Sequence, residues 1–126
     1  MSTLVAQTIS NGTVSTSSAN VIQGSAKAWV NFNGVPTAAI RASYNVSSIT
    51  RTGTGIYTIN FTNAFADTNY ALVGTTARDG SDFVYSLAGK PVSTSSATVA
   101  TNGSSGGVLY ANIFTDWEFN SVAVFR

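Results

Sequence analysis

Between Ala26 and Phe32 the chain reads Ala-Lys-Ala-Trp-Val-Asn-Phe, so Ala26, Ala28, Val30 and Phe32 alternate with Lys27, Trp29 and Asn31. A repeat of two belongs to an extended strand, whose successive side chains point to opposite faces; an amphipathic helix needs a repeat of 3.6. The same period returns at Tyr57, Ile59 and Phe61 and at Val122 and Val124. Turn chemistry separates these runs: Asn33-Gly34 followed by Pro36, Thr52-Gly-Thr-Gly55, Asp79-Gly80 and Asn102-Gly-Ser-Ser-Gly-Gly107. Strands are therefore predicted over residues 26–32, 37–43 and 44–50 (with a bend between the last two), 56–62, 70–77, 83–88, 93–101, 108–115 and around 122–124. Eight to ten short strands at roughly 8–12-residue spacing predict an all-β fold, an antiparallel β-sandwich of jelly-roll-like type. No helix-period segment exceeds one turn, and no heptad pattern supports a coiled-coil shaft. Residues 116–120 read as one helical turn or a loop.

Composition narrows the setting. Only 9% of residues are charged, against roughly 25% in an average domain. Ser, Thr and Asn, with 17, 17 and 11 copies, take their place, and these short polar side chains favour strands and turns over helix interiors. The 44% hydrophobic content argues against a disordered chain. A nearly neutral surface gives little mutual repulsion, so self-association is expected. With a net charge of +1 and six scattered basic residues, neither nucleic acid nor an anionic membrane is an expected partner. No apolar run approaches the roughly 20 residues of a membrane span, and the first ten residues lack the charged and apolar regions of a secretion signal. The absence of cysteine excludes disulfides and thiolate metal sites, and fits synthesis in a reducing cytoplasm.

Candidate chemistry is sparse. The chain has neither His nor Cys, so the commonest general base and the best thiol nucleophile are missing and no enzymatic activity is expected. Asp79 and Asp82 bracket a turn, where Asp caps its own backbone; one Asp pair and a Ser supply too few ligands for calcium, so no metal and no cofactor is expected. Asp116 and Glu118 flank Trp117, which suits either a sugar-stacking platform or an aromatic packed under a loop. Four Asn-x-Ser/Thr triplets, at Asn11, Asn45, Asn60 and Asn102, are read as chance in so Ser/Thr-rich a chain. Trp29 points away from Ala28 and Val30, into either a second buried face or a subunit interface. Residues 1–18 form an N-terminal arm ahead of a β-domain over 19–126. The arm carries Leu4, Val5, Ile9 and Val14 in a polar background, too sparse to build a core but enough to lie along a neighbour. With Trp29, Trp117 and Phe119, these are the candidate interface residues.

Several segments resemble a small β module of tailed-phage and cyanophage virion proteins: Gly24-Ser-Ala-Lys-Ala-Trp-Val-Asn-Phe-Asn-Gly34, Ala39–Ile49, Gly55-Ile-Tyr-Thr-Ile-Asn-Phe61, Ala64–Val73 and the terminal Ser121-Val-Ala-Val-Phe-Arg126. In the segment around Trp29 the match is residue for residue. The resemblance implies a non-enzymatic protein on the exterior of a virion, assembled in the bacterial cytoplasm. It also implies a homotrimer, because such modules cap three-fold fibres or sit at capsid symmetry axes. Three placements are expected. A capsid decoration, or cement, subunit binding the major capsid protein comes first, because residues 1–18 leave no room for the anchor and shaft of a fibre. A tail-fibre or receptor-binding module among tail proteins is the second. A lectin-like module for host-surface glycans, resting on Trp117, the five tyrosines and the abundant hydroxyl and amide groups, is the third.

Overall fold

A computed structural model describes residues 1–80, 86–105 and 108–126, and of residues 104, 105 and 108–112 the backbone only. Its strands are β1 (Thr8–Ser10), β2 (Ser15–Ser17), β3 (Ala28–Asn33), β4 (Ala39–Tyr44), β5 (Val46–Gly53), β6 (Ile56–Phe61), β7 (Ala71–Ala77), β8 (Ser86–Ser93), β9 (Ser96–Ser105), β10 (Val108–Phe114) and β11 (Phe119–Phe125), with a helix α1 (Ser18–Gly24) between β2 and β3. Strands β4–β3–β11–β7 form one antiparallel sheet. Strands β5–β6–β9 form the body of the second, with β8 and β10 also paired to β9. The two sheets pack face to face as an antiparallel sandwich. The jelly-roll order expected from the sequence is not shown by these pairings.

The predicted alternation builds the core. Along β3, Ala28, Val30 and Phe32 are buried, and along β6, Tyr57, Ile59 and Phe61 are buried. Val122 and Val124 join from β11, and Ala97 and Val99 from β9. Phe32 and Tyr57 meet edge-on across the sheets with centroids 5.0 Å apart. At the other end Phe61, Phe65 and Tyr70 form an aromatic cluster. Each such side chain taken fully from water contributes about 1.5–3 kcal/mol.

Both long edges of the sandwich are closed by specific chemistry. Strand β4 passes into β5 through the single residue Asn45, at φ 54, a left-handed conformation that Asn tolerates better than most residues. The Asn45 amide donates to the carbonyls of Lys27 and Asn63, both at 3.2 Å, and its Oδ1 accepts from the Asn63 N–H at 2.8 Å. The bend expected near Tyr44 is thus a pinned corner. On the opposite edge β7 lies against β8, and Gly74 makes the approach possible: a Cβ there would sit 2.8 Å from Leu87 Cδ2 and from the Ser121 carbonyl oxygen.

Three expectations need correction. Helix α1 occurs where no helix was predicted. Ser17 caps it, its side chain accepting from the Asn20 N–H at 3.2 Å, and none of its residues is buried. A cap and local hydrogen bonds hold this short helix without an apolar face, so hydrophobic periodicity carries no trace of it. Second, the break left between the strands predicted over 83–88 and 93–101 lies at Thr94-Ser95, because β8 runs on to Ser93 and takes in Lys90 and Pro91. Proline is tolerated there because, among the described residues, β8 pairs with β9 alone and leaves its other side open. Third, β9 runs on to Ser105, through most of the turn predicted over 102–107, whose residues 106–107 lie outside the described residues; residues 115–118 take the loop reading of the two expected there. Residues 81–85, and with them Asp82 and the start of the predicted 83–88 strand, lie outside the described residues.

Candidate interaction surface

The face of the four-stranded sheet turned away from the core carries several exposed apolar side chains. Strand register sets it out. Trp29 stands opposite Tyr44 on β4 and opposite Ala123 on β11, and Ala123 stands opposite Val73 on β7. A row Val73–Ala123–Trp29–Tyr44 therefore crosses all four strands, with Val73 55%, Trp29 40% and Tyr44 59% exposed. The next row is Thr75–Ser121–Asn31–Ala42, where the Asn31 amide donates to Ser121 Oγ at 2.9 Å. Neither row contains a charge. Between them lies a shallow depression of about 430 Å³ bordered by Trp29, Asn31, Val73 and Ser121. One strand-turn further on, Phe119 is exposed and the Arg41 guanidinium lies 4.7 Å over its ring, a cation–π contact.

Trp29 is thus not a core residue but the centre of an open sheet face, and Phe119 belongs to the same face. Tyr44 and Val73 complete it and were not singled out from the sequence. Regular pairing from Asn33 and Ala39 onward would set Ser43 beside Trp29; a register shift between Asn31 and Phe32 brings Tyr44 there instead, and alternation along the sequence carries no sign of it.

The opposite face of the sandwich has another character. Across β5, β6, β9 and β8 the register aligns Thr50, Thr58, Thr98 and Lys90. The Asn60 amide donates to Ser48 Oγ and Thr50 Oγ1 at 3.0 and 3.3 Å. This surface is a ladder of hydroxyls and amides, well solvated as it stands.

The N-terminal arm is folded locally. Strands β1 and β2 form a hairpin whose turn is held by Asn11 Oδ1, which accepts from the N–H groups of Thr13 and Val14 at 3.0 and 2.8 Å. Among the described residues, the hydrogen bonds of residues 1–24 all stay within residues 1–27. Leu4 and Val5 are 92% and 87% exposed, and Ile9 and Val14 are also open to solvent. No charged side chain occurs before Lys27.

Trp117 sits elsewhere, at the loop end of the sandwich. It is half-buried, its indole N–H donates to the Asn102 carbonyl at 3.3 Å, and its own carbonyl accepts from the Gly34 N–H at 2.9 Å and the Asn120 amide at 2.8 Å. It is anchored into the scaffold and does not share the face that holds Trp29 and Phe119. Neighbouring Asp116 is fully engaged: Arg51 Nη2 at 2.7 Å, Tyr57 Oη at 2.5 Å and the Gly55 N–H at 2.8 Å all donate to it. Gly55 is required in that turn, at φ +64 with a would-be Cβ 2.6 Å from the Thr115 nitrogen. Desolvation pushes the Asp116 carboxyl up, but the donors from Arg51, Tyr57 and Gly55 outweigh it and hold the pKa at about 2. Burial, together with the hydrogen bond to Asp116, raises that of Tyr57. A carboxylate so low and so occupied is a structural tie and a poor general acid.

Among the described residues no group of three or more His, Cys, Asp or Glu side chains could hold a metal ion. None of their helices is long and apolar enough to cross a membrane. No protein-family model, curated protein or solved structure matches the chain.

Proposed function

We propose that the chain is a non-enzymatic structural protein of a phage virion exterior, a capsid decoration subunit that associates with copies of itself and with the major capsid protein. The observation that carries this reading is the pair of uncharged, partly apolar surfaces open in the isolated chain: the Trp29 face and the N-terminal arm. Surfaces of that kind favour association. A cement subunit needs a compact body and a segment that reaches a neighbour, and the arm, exposed and hydrogen-bonded only locally, suits the second task. The resemblance of the Trp29 segment to phage virion modules adds the setting, and three-fold assembly comes with it. The absence of His and Cys and the fully occupied Asp116 weigh against catalysis.

A second reading places the chain at a tail-fibre tip, binding host-surface glycans. It is favoured by the hydroxyl and amide ladder on the five-stranded sheet, and weakened by Trp117, which is tied into the scaffold instead of offering an open stacking platform. Sedimentation of purified protein with tailless capsids tests the choice. Saturable binding at a fixed ratio to the major capsid protein is the expected result. Binding to isolated tails or to host polysaccharide, with none to capsids, would move the protein to the second reading. Binding to neither would remove both.

A further inference from the structure

We infer that the outer face of the four-stranded sheet is the seat for the N-terminal arm of a second copy of this chain. The inference rests on the self-association proposed above and names the two surfaces that meet. Leu4, Val5, Ile9 and Val14 stand exposed on an arm that makes no described hydrogen bond to its own sandwich beyond Lys27, while Trp29, Tyr44 and Val73 stand exposed on the sheet.

Charge selects the occupant. The arm has no ionised side chain before Lys27, and the two central rows of the sheet face have none. Bringing the arm across these two rows strips water from no ion, whereas a charged partner laid there would find no opposite charge within them, the nearest cation named on the face being Arg41 over Phe119. The polar groups that do occur are matched in kind: Asn31, Thr75 and Ser121 beside the Trp29 row can exchange hydrogen bonds with the Ser- and Thr-rich arm and its backbone.

Area sets the form of the assembly. Covering an aliphatic side chain removes roughly 100 Å² of apolar surface from water, so the four arm residues bring on the order of 400 Å². Aromatic side chains bury about 150–250 Å² each when wholly covered. Trp29 and Tyr44 expose about half of theirs, so with Val73 the face adds on the order of 200–300 Å². One arm-to-face contact thus covers on the order of 600–700 Å² of apolar surface in total, less than half of the roughly 1,600 Å² of a standard stable interface, so permanence calls for a closed assembly in which every copy both gives an arm and receives one. An arm-to-face contact is head-to-tail, and such contacts close into rings when the rotation permits. A three-membered ring is the form that suits a three-fold site.

The chain has no cysteine, so introduced thiols report without interference. Leu4→Cys and Val73→Cys chains are mixed in equal amounts under a mild oxidant, with Val92→Cys, exposed on β8, as the control for the face. The expected result is a disulfide-linked arm-to-face dimer at least tenfold in excess over either homodimer and over the Leu4→Cys/Val92→Cys product. Val73→Lys, at a position 55% exposed, should leave the melting temperature unchanged and weaken self-association at least tenfold by concentration-dependent native mass spectrometry. If a single chain carrying both Leu4→Cys and Val73→Cys closes its disulfide only within itself, or if oligomers persist without arm-to-face linkage, this inference falls while the proposed self-assembly stands. A chain that stays monomeric at every concentration and binds no capsid overturns both.

Discussion

Asn120 offers a stringent test of how the sandwich end is held. It is wholly buried on β11, between β3 and β7, and Thr76 opposite it is 7% exposed. The Thr76 hydroxyl donates to Asn120 Oδ1 at 2.7 Å, and the Asn120 amide donates to the Trp117 carbonyl at 2.8 Å. Asn120→Ala removes these two short bonds and a longer one from the amide to the Phe32 carbonyl at 3.4 Å, and it strands the buried Thr76 hydroxyl, while the Trp117 carbonyl keeps its bond from Gly34. Two lost bonds at about 1 kcal/mol each, plus a desolvated hydroxyl at about 1–3 kcal/mol, put the cost at about 3–5 kcal/mol. Thr76→Val keeps the shape but leaves Asn120 Oδ1 unpaired, at about 1–3 kcal/mol. With both changes no polar group remains orphaned at the pair, so the double variant should be no less stable than Asn120→Ala, a coupling of about 1–3 kcal/mol. Urea denaturation at 25 °C reads this directly: a loss of about 3 kcal/mol moves the midpoint by roughly 1–3 M for a small domain. Costs that add to within about 0.5 kcal/mol would refute the reasoning, because independent sites behave that way.

Three further outcomes are expected. Val30→Asp places an unpaired charge at a core position 2% exposed and should cost several kcal/mol; melting alongside wild type would contradict the assignment of the inner face. Asp116 has its pKa lowered in the fold from 3.8 to about 2, so its contribution is present above about pH 4 and is lost as the pH falls towards 2. Asp67, lowered by Arg126, acts in the same direction. Asp116→Asn should therefore flatten the fall of melting temperature across that window, and an unchanged slope would show that the carboxylate is not the group titrating. Deleting residues 2–24 should shift the melting temperature of the sandwich by no more than about 2 °C, since none of α1 is buried, while abolishing assembly; early unfolding in calorimetry would make the arm an integral part of its own sandwich.

Local pattern was enough for much of this protein. Alternation at Ala28, Val30 and Phe32 and at Tyr57, Ile59 and Phe61 marks the strands and their inward faces, because burial on one face forces a period of two wherever the chain is extended. Asn33-Gly34 and Thr52–Gly55 mark their turns. Helix α1 escaped because it is held by Ser17 and its own backbone, and a short capped helix without an apolar stripe leaves no periodic signal. The Asp116 tie escaped because its donors Arg51 and Tyr57 lie 65 and 59 residues away, a distance over which spacing carries no information. Most consequential was Trp29. Alternation placed it opposite the core residues of its own strand, which is equally true of a second buried layer and of an open surface. Only the pairing of β3 with β11 and β4, with no further layer described over them, left Trp29, Tyr44 and Val73 as one exposed row. Strand order is decided by contacts between residues as far apart in sequence as Ala28 and Val124, and it turns a pattern written along the chain into a surface.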